Sequence, residues 1–231
     1  MKVVCISDTH NHHDEIPVPD GDMLIHAGDF SIFGNEGEAR AFATWFRNQP
    51  HKHKIVIPGN HDKFAVYSYS LLKEFLGPDV HYLDNQGIDI EGYIIWGSPW
   101  TPTFGQGWAF NADPGAEIQR HWSRIPDDVN ILITHGPAYG ILDWTYSWHE
   151  PHQKEHVGCY DLLMRLRELK ALQMHVFGHI HEPHGVVPSF NDGVAVNAAS
   201  TTIHRDRGYV FRNHPIVIDL GAIPKRRIFK P

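Results

Sequence analysis

Eight side chains of this sequence, Asp8, His10, Asp29, Asn60, His61, His135, His179 and His181, fall in five short blocks: SDTH, AGD, GNHD, THGP and GHIH. Carboxylates, an amide and imidazoles together make a mixed oxygen and nitrogen donor set of the kind that holds divalent cations. There are enough donors for two ions. A pair of cations suits hydrolysis, because it lowers the pKa of a shared water, orients that water and neutralises charge on the group under attack.

No block carries this reading alone. Asp8 and His10 could be a capping carboxylate and a surface histidine; two residues apart on an extended chain, they would face the same way and could reach one ion. Asp29 offers two oxygens that could bridge cations. In Gly59-Asn60-His61-Asp62 the glycine permits a turn closed to other residues, and Asn60 offers a neutral amide oxygen; the alternative is a plain turn. His135 could be a satisfied core histidine. In Gly178-His179-Ile180-His181 two imidazoles share one orientation if the segment is extended. The weight lies in what the blocks share, a position at the end of an apolar run.

Those runs define the elements that must position the donors. Residues 3–7, 23–27, 54–57 and 130–134 are short apolar or β-branched stretches, and 176–177 is a shorter one. Each is followed by Gly, Asp, His or Asn, as strands buried on both faces are. Ala39, Phe42, Ala43 and Phe46 give a helical stripe ahead of Pro50, and Cys159, Leu162, Leu163, Leu166 and Leu169 give another. Residues 88–90 and 93–96 read as a hairpin, and 193–197 and 215–219 as late strands. Early β-α-β units followed by strand-rich sequence predict an α/β protein of two packed mixed sheets flanked by helices. Ligands of such sheets collect beyond the carboxyl ends of the strands, where all five blocks lie. No repeat or linker divides the chain, so residues 1–231 are expected to form a single domain.

Composition narrows the partners. A net charge of -7 disfavours long nucleic acid, whose backbone calls for clustered Lys and Arg. The one basic cluster, Lys225-Arg226-Arg227, reads as a solvated tail. Cys5 and Cys159 read as core residues rather than a disulfide. The N-terminus lacks a signal-peptide pattern and no apolar run reaches membrane-spanning length, so a cytoplasmic protein without a membrane partner is expected. Nineteen histidines exceed what any one site can use. His12 and His13 are assigned to an exposed loop, His26 to a hydrogen-bonded core position, His184 to a rim, and Trp96, Trp100 and Trp108 to packing.

In their order, D-x-H, GD, GNHD, a lone His and GHxH, the blocks resemble the calcineurin-like metallophosphoesterase superfamily. SPWTP, THGP, DW, VGC, HVFGHIHE and VNAAS are further similar to its MPPED-type group (class III phosphodiesterase-like), and that likeness spans essentially the whole chain. Both histidines of GHxH are kept here, although some animal members of that group lack one. The resemblance implies a four-layer α/β/β/α sandwich, with Asp8, His10 and His181 on one metal, Asn60, His135 and His179 on the other, and Asp29 bridging. It implies a phosphodiesterase in which metal-bound hydroxide attacks a small, nucleotide-type phosphodiester. His61 would protonate the leaving alkoxide, with Asp62 as its orienter or a plain carboxylate. Two divalent ions are expected; manganese comes first, with Fe, Zn, Ni, Co and Mg as alternatives. A phosphomonoesterase or protein phosphatase would use the same centre, and a non-catalytic scaffold of this fold would be expected to have lost ligands. Residues 143–156 are expected to wall the substrate cleft, with Trp144, His149 and His152 as substrate contacts. Nothing in the sequence fixes an oligomeric state.

Overall fold

The computed structural model describes residues 1–147, 150, 152–204 and 206–223; the 225–227 cluster, Trp148 and His149 lie outside the described residues. Two large sheets carry the fold. The first runs edge to edge through Ile216–Asp219, Lys2–Ile6, Met23–His26, His53–Val56 and Val80–Tyr82. Its last four strands are parallel, and Ile216–Asp219 adds antiparallel to Lys2–Ile6. The second runs through Gly185–Pro188, Val194–Asn197, Met174–Phe177, Ile131–Thr134, Tyr93–Ser98 and Gln86–Ile90. Its four central strands are parallel, with an antiparallel strand at each edge.

Alternation along the strands explains the layering. Val3 and Cys5 point into an apolar layer between the sheets, against Ile25, Ile55, Ile133 and Val176. Val4 and Ile6 point the other way, under helices α1 (Glu36–Arg47), α2 (Lys63–Tyr67) and α3 (Tyr69–Leu76), where they meet Phe42, Phe46 and Leu72. On the far face of the second sheet, Trp96 and Leu132 pack against Ile118 and Trp122 of α4 (Ala116–Trp122) and Leu162 and Leu166 of α5 (Tyr160–Glu168). The result is the expected α/β/β/α sandwich. Strands that follow a parallel crossover present their carboxyl ends on one side, so the loops that matter share one rim.

Helix α1 does more than cover the sheet. Asn35 caps it and Glu38 returns the bond to the Asn35 amide, a capping box. The same Glu38 carboxylate accepts from Asn11 Nδ2 at 2.6 Å and from the Phe33 amide at 3.1 Å, tying together the loops that follow the first two strands. One smaller expectation needs correction. His13 is buried, with its ring against Phe42 and Trp45, because the 3-10 turn His13–Glu15 folds it under α1. Cys159 lies in the core as expected, clustered with Leu162, Leu163 and Leu166, and as the N-cap of α5 its Sγ accepts from the Leu162 amide. No helix among the described residues is long and apolar enough to cross a membrane.

Candidate metal centre

The first sheet delivers Asp8 and His10, Asp29, and Asn60 and His61 from three successive strand ends. The second delivers His135 after Ile131–Thr134, and His179 and His181 after Met174–Phe177. Asp8, His10 and His181 bring one ligand atom each within 4.8 Å of one another, and so do Asp29, His135 and His179. Asp29 Oδ2 lies 3.3 Å from His135 Nε2 and 3.8 Å from His10 Nε2, between the two groups. Asn60 Oδ1 joins at 2.9 Å from His135 Nε2.

The backbone reaches this arrangement by turning, not by staying extended. Asp8, His10, Asp29 and His179 hold φ of 51, 40, 56 and 67°. Left-handed conformations cost an L-residue about 1–2 kcal/mol each, and they persist where the surroundings over-determine them. The expectation that His179 and His181 share one orientation is therefore corrected: the turn at His179 sends it to Asp29, while His181 reaches Asp8 at 3.3 Å. Glycines make the close approach possible. A Cβ on Gly178 would collide with the Asp8 carboxylate and Ser7, and one on Gly59 with Asp29 and His135.

Partners behind the rings fix their tautomers. His10 Nδ1 donates to the Ser31 carbonyl at 3.0 Å and His135 Nδ1 to the Ala27 carbonyl at 2.9 Å, leaving each Nε2 lone pair aimed inward. His10 Nε2 is buried and has no hydrogen-bond partner. His135 Nε2 faces two oxygens that can only accept or repel it. A buried acceptor facing acceptors is satisfied by a proton or by a cation. Burial holds His10 and His179 down at about 3, which keeps both rings neutral and able to ligate. Burial also opposes charge on His135, but the Asp29 carboxylate outweighs it and raises the ring to about 9. Burial likewise opposes ionisation of Asp8, and the His181 contact reverses that, to about 2. Ionised carboxylates, neutral imidazoles and a His135 whose Nε2 proton a cation would displace are a donor set that fits two divalent cations.

Residues 1–183 match the family described as calcineurin-like phosphoesterase. The chain belongs to that family. "Metallophosphoesterase domain-containing protein 1" of Homo sapiens is 40% identical over 95% of this chain and 71% of its own length. The Mus musculus protein of that name matches equally, in keeping with the narrower MPPED-type likeness. A UPF0046 protein of Caenorhabditis elegans is 34% identical over 99% of this chain and 77% of its own.

In this phosphoesterase, His61 also brings a ring nitrogen within 4.8 Å of ligand atoms of His10 and Asp29. Its Nδ1 donates to the Ile32 carbonyl at 2.7 Å, and its Nε2 lies 3.2 Å from the Tyr209 hydroxyl. Asp62 does not orient this ring. Its buried carboxylate accepts from the Gly59, Asp29 and Ser31 amides at 2.7, 2.9 and 3.0 Å and from Ser31 Oγ at 2.6 Å, stapling the AGD loop to the GNHD loop. Burial, then the charge on Asp29, push this carboxyl up to about 7. His26 sits in the core as expected, between Thr9 Oγ1 and the Gly28 amide.

A cleft of about 590 Å³ opens on the centre. Of the described residues within 143–156 it is lined by Thr145 and Glu155; Trp144 and His152 do not line it. The Trp144 face is covered by the Lys154 ammonium at 3.5 Å, and His152 is exposed. Among the described residues, the Phe, Trp and Tyr rings that line the cleft are those of Phe104, Trp108 and Tyr209. Tyr209 lies on the hairpin Thr201–His204/Gly208–Phe211, and its ring stacks on His10 at 3.8 Å. Sequence reasoning passed over it, because a tyrosine outside the motifs has no spacing to betray it; the β-branched run 201–203 before Gly208 was the available signal.

Proposed function

We propose that this protein is a phosphodiesterase acting on a small, singly charged, nucleotide-type diester. Asp8, His10 and His181 would hold one divalent cation, Asn60, His135 and His179 a second, and Asp29 both. The observation that carries the two-ion reading is the Asp29 carboxylate set between two buried imidazoles. When bound, such a pair supplies an ionised water at neutral pH and neutralises charge on the phosphoryl group. The nitrogen and oxygen donors suit Mn, Fe, Co, Ni or Zn better than Mg, and manganese is the first candidate.

The chain's own residues divide the remaining work. His61 faces the cleft through Nε2 and protonates the leaving oxygen, held for that task by the Ile32 carbonyl. Among the described residues the cleft lining has no Lys or Arg, and it includes Glu155 and Glu182. A diester carries one negative charge fewer than a monoester dianion, so this lining supports the diester over the phosphomonoesterase reading. The last strand of the first sheet pairs with the first strand of the chain, which supports residues 1–231 acting as one domain. Buried, free Cys5 and Cys159 accord with a reducing, cytoplasmic setting.

The test compares bis-p-nitrophenyl phosphate with p-nitrophenyl phosphate on manganese-loaded protein. Faster turnover of the diester is expected at matched saturation. A monoester preference would sink the diesterase reading and leave the centre intact.

A further inference from the structure

The loop after the Ser98-Pro99-Trp100 turn raises two rings into the cleft. Phe104 is 49% exposed and Trp108 36%, high values for aromatic side chains that both line a concave site. Gly107, at φ +79°, lets the chain double back so that the two rings stack side by side, 5.8 Å apart and 27° from parallel. The pair does not stand apart from the chemistry. Trp108 packs against the His61 ring at 4.6 Å, and Phe104 against the His179 ring at 4.9 Å. Neither ring is spent on the apolar layers, which close without them.

Resting on the diesterase reading above, we infer that Phe104 and Trp108 form a shelf for a planar ring carried by the leaving alcohol of the substrate, a nucleobase being the class that fits. The side of the reaction follows from Trp108's neighbour. His61 is the group assigned to the departing oxygen, so a ring stacked on Trp108 belongs to the alcohol that departs. Water adds at phosphorus, the P–O bond to the ring-bearing alcohol breaks, and its electron pair leaves with that oxygen. The oxygen takes a proton from His61; of the water's two protons one goes to the monoester product or to solvent, and the other restores His61 by way of solvent. Bases stack on aromatic side chains through faces every base possesses, so the shelf selects flatness rather than sequence. Lys63, which does not line the cleft, has its Nζ 5.6 Å from the Trp108 ring centroid, so the face offered to a base is the one turned to the cleft beside His61.

Two measurements on manganese-loaded protein test this. Adenosine, with the larger type of base and no phosphate to bind the cations, is titrated by calorimetry. Saturable binding is expected, weakened about tenfold in Trp108→Ala or Phe104→Ala, within what a base–aromatic stack contributes. Absence of binding, or unchanged affinity in both variants, overturns the shelf; both rings are half-exposed, so their loss leaves the three apolar layers filled, and melting temperature checks this. The second substrate is adenosine 5′-methyl phosphate, whose two alkoxides leave with similar ease. Adenosine and methyl phosphate are expected as the main products, with the product ratio moving towards unity in the variants. Release of methanol and adenosine monophosphate instead would refute the assignment while leaving the diesterase standing. If no diester is hydrolysed the diesterase reading fails, and adenosine binding alone then decides for or against the shelf.

Discussion

Asp62 offers the sharpest test of how the site is held. Its two oxygens accept from four buried amides and one hydroxyl, contributed by the loops that carry Asp29 and Asn60, the Phe30 amide being the longest at 3.4 Å. Asp62→Asn keeps the shape and removes one acceptor. With the amide oxygen towards Gly59, Asp29 and Phe30, the new NH2 group confronts the Ser31 amide; turned the other way, it confronts the other three. A buried donor left unpaired costs about 1–3 kcal/mol, and bonds that lose an ionised partner fall from about 1.5–3 to about 1 kcal/mol. The sum is about 3 kcal/mol for Asp62→Asn, and about 4–5 kcal/mol for Asp62→Ala, which takes the acceptor from all four amides. Urea unfolding of the manganese-loaded protein, with bound metal measured in parallel, reads both effects. Metal content should fall too, because the displaced loops carry ligands. An Asp62→Asn protein within about 0.5 kcal/mol of wild type, the size of an ordinary surface change, and with two ions retained would refute the staple. It would mean that the carboxyl is protonated in the fold, a state its elevation to about 7 brings within reach.

His61→Ala should retain both ions and lose about 10²–10⁴-fold on an alkyl diester, with much less loss on a p-nitrophenyl diester; equal losses on the two esters would contradict the acid role. Asp29→Asn should drop metal stoichiometry below two by elemental analysis, and full occupancy would remove Asp29 from between the ions. Tyr209→Phe keeps the stack on His10 and deletes the hydroxyl on His61, so turnover of an alkyl diester should fall about 3–10-fold, the value of one neutral hydrogen bond of about 1 kcal/mol, with melting temperature unchanged; no change in turnover would leave Tyr209 a packing residue. His175 is buried against Thr134 Oγ1 and held by burial at about 3, against an ordinary 6.5. The unfolded chain takes up a proton that the fold refuses between those values. The stability His175 contributes is complete above pH 6.5 and lost as pH falls towards 3. His175→Gln should flatten the acid limb of stability against pH by up to about 1.4 kcal/mol per pH unit; an unaltered slope in urea titrations from pH 7 to 5 would exclude it.

The donors were legible because their types are rare at strand ends and their order is fixed. What lay beyond spacing was the direction of each side chain. His179 turns through left-handed backbone, which parts it from His181 without changing a letter of the motif. Asp62 looked like a partner for its neighbour His61, but adjacency along a turn sends the two side chains apart, one into the loops and one into the cleft. Trp108 was assigned to packing and Trp144 to the substrate, and the structure exchanges them: Trp108 lines the cleft, while Trp144 does not and has Lys154 Nζ 3.5 Å over its ring, in a hairpin too short and polar to foresee. Helices α3 and α4 were missed because each is barely two turns long, with only Leu72, Phe75 and Leu76 buried in the first and Ile118 and Trp122 in the second.

The centre also spans the seam of the sandwich. Asp8 and His181 are 173 residues apart in the chain, and Asn60 and His135 are 75 apart, each pair with one member on either sheet. An ion gripped by such a pair is a fastener between halves that meet through a mostly aliphatic layer and, at the rim, through bonds such as His135 Nδ1 to the Ala27 carbonyl and the His179 amide to Asp8. Pinning ends so remote would, for a covalent link, remove about 5 kcal/mol of chain entropy from the unfolded state. Chelation should therefore be felt far from the rim: amide hydrogens of Lys2–Ile6 and Met174–Phe177 should exchange faster, while those of α1 keep their protection. The same ions that cut phosphoesters would set how far the two sheets can slide.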